Sequence, residues 1–116
     1  MISIRQAEQI HHTRIESFGG SHGTRDKAAL ASALARPFHT FGSNDLYATT
    51  LEKAASLIES ILINHPFIDG NKRTGYVLLR LYLLKNDLDI FTTQQEKYTF
   101  VINIASGNSS FEEIVT

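Results

Sequence analysis

Apolar residues along this chain recur at intervals of three and four almost from end to end, the period of helices with one buried face. Behind Ser3, the residues Ile4, Ala7, Ile10 or His11, Ile15 and Phe18 share one face. Ser3 followed by Gln6 is a capping-box signature, so a first helix is expected from there to the glycine-rich GGSHG. Asp26 suits the cap of a short helix through KAALASALA, which Pro37 should end. From Leu46 to Asn64 the period returns in Leu46, Thr50, Leu51, Ala54, Leu57, Ile58, Ile61 and Leu62, the longest helix expected. Pro66 disfavours the helical conformation for His65, so the chain should leave the helix there. Another helix opens at Asn71 or Lys72 and runs to about Lys85, with Val77, Leu78, Leu81, Tyr82 and Leu84 as its core face. It is apolar nearly all round and therefore expected at the centre. The capping box Thr93 to Glu96 opens a helix through Phe100, Val101 and Ile104 to Gly107, and SSFEEIV adds a last helical turn.

One stretch breaks the pattern. PFHTFGSND alternates Phe38 and Phe41 with polar residues and closes on Gly-Ser-Asn-Asp, which reads as a loop or small β-hairpin. The segment from Arg36 to Leu46 could offer an open backbone edge to a target peptide. The reading that both phenylalanines are simply core is kept beside it. With 116 residues and no internal repeat, linker or low-complexity run, the expectation is one all-α domain over residues 1–116, a compact helical bundle with a short loop or hairpin flap.

Charge and composition narrow the function. Lys plus Arg is 11 against 12 for Asp plus Glu, so no global basic field gathers nucleic acid, and any phosphate recognition must be local. The absence of cysteine excludes a disulfide framework, a thiolate metal site and a cysteine nucleophile. MISIRQAEQI lacks the uninterrupted apolar run of a signal peptide, and YVLLRLYLL is interrupted by Arg80 and too short to span a bilayer. A soluble cytoplasmic protein with no membrane partner is the expectation.

Chemistry is densest in HPFIDGNKRTGY, His65 to Tyr76, between the two strongest helices. Asp69-Gly70-Asn71 is turn chemistry, and a helix starting straight after it turns its first N–H groups toward the loop. Such a place favours phosphate, and Lys72 and Arg73 add two cations where a helix ordinarily prefers acids. Asp69 would repel that phosphate unless a divalent cation lay between them, and Mg²⁺ needs only one or two carboxylates beside phosphate oxygens. His65 is an imidazole that can take a proton from an attacking hydroxyl. A base, a metal carboxylate and an anion cradle are the parts of phosphoryl or nucleotidyl transfer.

Each residue alone has a plainer reading. A histidine before proline can be a helix C-cap, Asp-Gly-Asn a turn, Lys72-Arg73 a solvated face and Phe67 a core plug; their coincidence is what points to a site. No P-loop and no HExxH pattern occurs. His11, His12, His22 and His39 read as surface or loop residues, with His22 in GGSHGTRD left open.

HPFIDGNKRT resembles the signature of the death-on-curing toxins, a branch of the Fic superfamily whose general motif is H-x-F-x-[DE]-G-N-G-R-x-x-R. GGSHGTRD, ALARP and LYATTLEKAASLIESILINHPF look like the same family, so the resemblance covers roughly residues 15–90. It implies the Fic/Doc-like fold, with His65 as general base, Phe67 as the loop's apolar anchor and Asp69 as the Mg²⁺ ligand. Gly70, Asn71 and Lys72 become the cradle for ATP, and Arg73 a phosphate clamp. Lys72 stands where most Fic enzymes have glycine and Tyr76 where they have a second arginine; the lysine fills a subsite that glycine leaves open.

In the death-on-curing branch this difference accompanies transfer of the terminal phosphate of ATP, onto a threonine of elongation factor Tu in its best-known case, in place of adenylyl transfer. The resemblance thus implies the toxin of a toxin–antitoxin module, a protein kinase of unusual fold. Adenylyl transfer and a catalytically silent antitoxin-binding module are the alternatives. The family's inhibitory motif [ST]-x-x-x-E-[GN] is not matched, since Lys97 follows Glu96 and Ile114 follows Glu113, so a separate antitoxin protein is the expected silencer. Fic proteins also carry a target-positioning flap where the 36–46 segment stands.

Overall fold

The computed structural model describes residues 2–88 and Asn103. In chain order its elements are α1 (Ile4–Phe18), α2 (Lys27–Ala35), a 3₁₀ turn (Arg36–Phe38), β1 (Thr40–Phe41), β2 (Asn44–Asp45), α3 (Thr50–Asn64) and α4 (Asn71–Lys85). The fold is the expected helical bundle with a hairpin flap. Among the described residues no helix is long and apolar enough to cross a membrane. The helix expected from Thr93 to Gly107 and the final turn lie outside the described residues, except that Asn103 is helical.

The caps are where the sequence puts them. Ser3 Oγ accepts the Gln6 N–H at 3.1 Å while Gln6 Oε1 accepts the Ser3 N–H at 3.0 Å, and Asp26 Oδ1 accepts the Ala29 N–H at 2.9 Å. α1 stops at Gly19, and α2 passes at Arg36-Pro37 into the 3₁₀ turn. α3 begins four residues later than expected. Thr49 Oγ1 accepts the Glu52 N–H at 3.1 Å and donates to Glu52 Oε1 at 3.0 Å, a second Thr-x-x-Glu start. Leu46 belongs to the hairpin instead, donating its N–H to His39 O at 2.9 Å and closing its base.

β1 and β2 pair antiparallel, Thr40 opposite Asp45 and Phe41 opposite Asn44. Their two-residue turn has Gly42 at φ +66°, the first central position, where a II′ turn needs glycine. Because Phe41/Asn44 and His39/Leu46 are the hydrogen-bonded pairs of such a hairpin, Thr40 turns its N–H and carbonyl outward. The reading of both phenylalanines as core does not hold: Phe41 is 82 % exposed, and Phe38 is exposed with its ring edge-on to Tyr82 at 6.2 Å. Arg36 roots the flap, donating to Tyr47 Oη (2.8 Å), Ser60 Oγ (2.9 Å) and Glu59 Oε1 (2.8 Å). Partial burial works against its charge, but the Tyr47 and Glu59 interactions outweigh that and raise its pKa. Lys53 holds the other strand through Asp45 and the Tyr47 carbonyl.

The core lies chiefly between α3 and α4, with α1 and α2 packed against them. α4 is central, but its buried face is turned from the expected one. Thr74, Gly75, Leu78, Leu79, Tyr82 and Leu83 are buried, whereas Val77 and Leu81 are half-buried and Leu84 is exposed. Phe18, expected on the core face of α1, is 60 % exposed. Gly75 explains the rotation: a Cβ there would meet Ile61 Cγ2 and Leu62 Cδ2 at 3.2 Å each, so α4 approaches α3 along its glycine.

Gly75→Val should force the two helices apart and cost ~1–3 kcal/mol of unfolding free energy. Equilibrium urea unfolding measures this; an unshifted midpoint would show that the α3–α4 contact yields without penalty.

Candidate active site

α3 does not simply end at His65; it turns sharply there. His65 takes φ +48° and ψ +60°, and its N–H still bonds Ile61 O at 3.2 Å. For a residue with a Cβ the left-handed conformation is strained by roughly 1–2 kcal/mol, so something must hold it. Arg25 does. Its guanidinium donates to His65 O through Nε (2.8 Å) and Nη2 (2.6 Å) and to Asn64 O (2.7 Å), a cation on the negative end of α3. Next along, Pro66 O accepts the N–H of both Arg25 (2.8 Å) and Asp26 (3.0 Å), Thr24 bridges Phe67, and Ile68 donates its N–H to Gly23 O at 3.1 Å. Residues 23–26 therefore lie along residues 65–68 as a backbone splint. The His65 side chain stays exposed, at the wall of a cleft.

Beneath the loop, Phe67 is buried and its ring stacks on His11, centroids 4.1 Å apart and planes 5° from parallel. His11 is not the surface residue expected from the sequence. It is buried, and its Nε2 lies 2.7 Å from Asp69 O; a carbonyl only accepts, so Nε2 carries the proton. Its place on the α1 stripe between Ala7 and Ile15 was the available signal. The Asn71 side chain closes the other end, Oδ1 accepting the Phe67 N–H and Nδ2 donating to Phe67 O, both at 2.9 Å. What Asn71 offers a ligand is thus its backbone N–H. Gly70 sits at φ +71°, where a Cβ would lie 3.0 Å from Ile15 Cδ1.

Asp69 faces out of the loop, yet it is fixed. Its Oδ1 accepts the Gly70 N–H at 2.8 Å and its Oδ2 the Ser21 N–H at 3.1 Å. These bonds, from Ser21 first and then Gly70, hold its carboxyl below the usual carboxylate range, with Arg73 and His11 adding to the effect. Each oxygen keeps a free lone pair, so an ionised, oriented carboxylate remains for a divalent cation, a donor set that fits Mg²⁺ beside phosphate oxygens. Gly20 is required by the same contact, because a Cβ there would be 2.8 Å from Asp69 Oδ2.

α4 starts at Gly70 without any side-chain cap, and its first ladder bond is Thr74 N–H to Gly70 O at 2.9 Å. The N–H groups of Asn71, Lys72 and Arg73 precede that ladder and are left for an anion. Arg73 lies over the Phe18 ring at 4.9 Å, and Arg14 over the same ring at 5.4 Å. Phe18 thus steadies two cations, a role that its apolar character concealed. The cleft is open, with a volume of about 1250 Å³, and among the described residues it is lined by all six predicted site residues, His65, Asp69, Gly70, Asn71, Lys72 and Arg73. Arg14, Phe18, Arg80 and Leu81 line it too, and so does Tyr76, where a second arginine stands in the Fic motif, one turn before Arg80.

Asn71→Ala would leave both polar groups of Phe67 buried and unpaired, at a cost of ~1–3 kcal/mol each in stability. Thermal and urea unfolding should register the loss, and wild-type stability would mean that the splint alone holds the loop.

The sequence model of the Fic/DOC family matches residues 1–83, which takes in α1, the splint, the flap, α3 and nearly all of α4. The chain is 38 % identical over 74 residues to a protein of Mycolicibacterium smegmatis (strain ATCC 700084 / mc(2)155) named Toxin Doc, the alignment covering 64 % of this chain and 57 % of that relative. The chain therefore spans little more than half the length of the relative it matches. With the family match extending over most of the chain and over every element that builds the cleft, the protein belongs to the Fic/DOC family.

Proposed function

We propose that this protein is the toxin of a type II toxin–antitoxin module, working in the cytoplasm as a Mg-ATP-dependent phosphotransferase that modifies a Ser or Thr hydroxyl of a cellular protein. The observation that carries the reading is the convergence on one cleft of His65, an ionised Asp69 and an uncapped helix N-terminus bearing Lys72 and Arg73. Elongation factor Tu is the first substrate to try, and a separate antitoxin protein is the expected silencer.

In this reading the N–H groups of Asn71, Lys72 and Arg73 hold the phosphate chain, with Arg73 kept in place by Phe18. Asp69 would hold Mg²⁺, which neutralises phosphate charge when bound. His65 takes the proton of the target hydroxyl as that oxygen bonds to the γ-phosphorus, and the bond to the β,γ-bridging oxygen breaks to release ADP. Lys72 is the feature that favours γ- over α-phosphate transfer. Its side chain occupies the subsite that glycine leaves free in adenylyl-transferring relatives. The exposed flap supports a target seat, since Thr40 presents an outward N–H and carbonyl that an extended peptide can pair with.

ATP labelled on the γ- or the α-phosphate, offered with elongation factor Tu and with cell lysate, tests the reading. The γ-label should become attached to protein and the α-label should not; attachment of the α-label alone would make the protein an adenylyltransferase.

Two substitutions separate the roles within the site. His65→Ala should lower the transfer rate by ~10²–10⁴ while leaving ATP affinity nearly unchanged; loss of ATP binding would assign the residue to the scaffold. Thr40→Pro should suppress modification of the protein target without altering ATP binding, and full modification by that variant would remove the flap from the mechanism.

A further inference from the structure

Three side chains that the proposed reaction does not use gather where α1 ends. His12 and Glu16 are four residues apart on α1 and share a face, and His22 returns over them from the loop that follows. His22 Nε2 lies 2.9 Å from Glu16 Oε1 and His12 Nε2 lies 3.8 Å from the same oxygen. The two rings are 4.6 Å apart, and one ligand atom from each of the three residues falls within 4.8 Å of the others. We propose that His12, Glu16 and His22 form a second metal site, distinct from Asp69, that takes a transition-metal dication, Zn²⁺ foremost, and clips the loop to α1.

The donor set decides the class of ion. Two imidazoles and one carboxylate suit Zn²⁺ and its neighbours, whereas Mg²⁺ selects oxygen ligands. The spacing agrees. Ligands bound about 2.0–2.2 Å from a tetrahedral ion lie roughly 3.4 Å from one another, and the two distances to Glu16 fall on either side of that separation. All three side chains are exposed, so an ion has access, small rotamer changes can centre it, and water completes the fourth position.

The third ligand is also placed in advance. On either side of His22, Ser21 donates its N–H to Asp69 and Gly23 accepts the N–H of Ile68, so the loop is anchored on both flanks of the histidine. An exposed histidine–glutamate contact stabilises little without an ion. With one, it joins α1 to the segment that splints the catalytic loop.

Untagged protein titrated with ZnCl₂ in a calorimeter, with MgCl₂ as the comparison, tests the site. One saturable Zn²⁺ per chain is expected, with no competition from Mg²⁺. His12→Asn and His22→Asn should each weaken binding by at least the ~10–100-fold typical of losing a supporting contact. His39→Asn, on the exposed flap, should leave it intact. Because His22 sits in a loop the fold uses, Glu16→Gln gives an independent arm, and circular dichroism checks that each variant is folded. Bound Co²⁺ should show the visible absorption of a low-coordinate site in the wild type and lose it in His22→Asn. Equal Zn²⁺ affinity in the wild type and in His12→Asn, Glu16→Gln and His22→Asn overturns the proposal. So does the absence of saturable binding, or binding that survives His22→Asn and disappears with His65→Ala, which would put the ion in the cleft.

Discussion

Pro66 has no N–H to give, and its carbonyl, which receives the N–H of both Arg25 and Asp26, is the point at which the loop between α3 and α4 is tied to the rest of the chain. Around that knot the Arg25 side chain grips the last carbonyls of α3, and Gly23 and Thr24 continue the pairing along Phe67 and Ile68. Backbone pairing of this kind fixes position without depending on side-chain packing. It matters here because His65 sits in a conformation its Cβ resists, and only an over-determined surrounding keeps such a residue in place. The side chain at the lip of the cleft is therefore delivered by a splint made from the residues after α1.

The same loop makes its polar residues serve the fold and the site together. Asn71 spends its whole amide on Phe67, His11 spends one nitrogen on Asp69 O, and the Asp69 carboxylate binds two backbone N–H groups while remaining ionised and exposed. Nothing in this arrangement caps α4, whose free N–H groups face the cleft. A helix start without a cap is less stable by itself, and an anion supplies what a serine or aspartate would otherwise contribute. Lys72 and Arg73 in that first turn fit the same account, since without a bound anion they oppose the helix dipole.

Much of this is legible in the amino-acid sequence. Periodicity placed α1, α2 and α4 to within a residue or so, helped by the Ser3–Gln6 capping box, the Asp26 cap and the Asp69-Gly70-Asn71 turn, because these signals are local: a side-chain oxygen reaching the N–H three residues on needs only its own turn. The start of α3 was missed because periodicity carried back to Leu46, although Thr49 and Glu52 held the better local signal. The core face of α4 was misread because that segment is apolar nearly all round. Which side packs was settled by Gly75, whose missing side chain lets α3 approach, and a glycine is silent to any count of apolar positions. Phe18 and Phe41 were misassigned for a related reason. Apolar character says that a residue gains by leaving water and does not say whether the chain gives it anywhere to go.

The sequence by itself determined the helical class and the loop between the two strongest helices, and it marked His65, Asp69, Gly70, Asn71, Lys72 and Arg73 as candidate site residues, since all of these lie within short stretches whose chemistry depends on neighbours along the chain. The tertiary structure alone decided how that loop is held. The pairing of residues 23–26 with 65–68, the burial of His11 under Phe67, the cations over Phe18 and the meeting of His22 with His12 and Glu16 all join distinct segments of the chain. No local preference specifies such pairings. α1 packing against α4 brings Phe18 at the end of one helix to Arg73 at the beginning of the other.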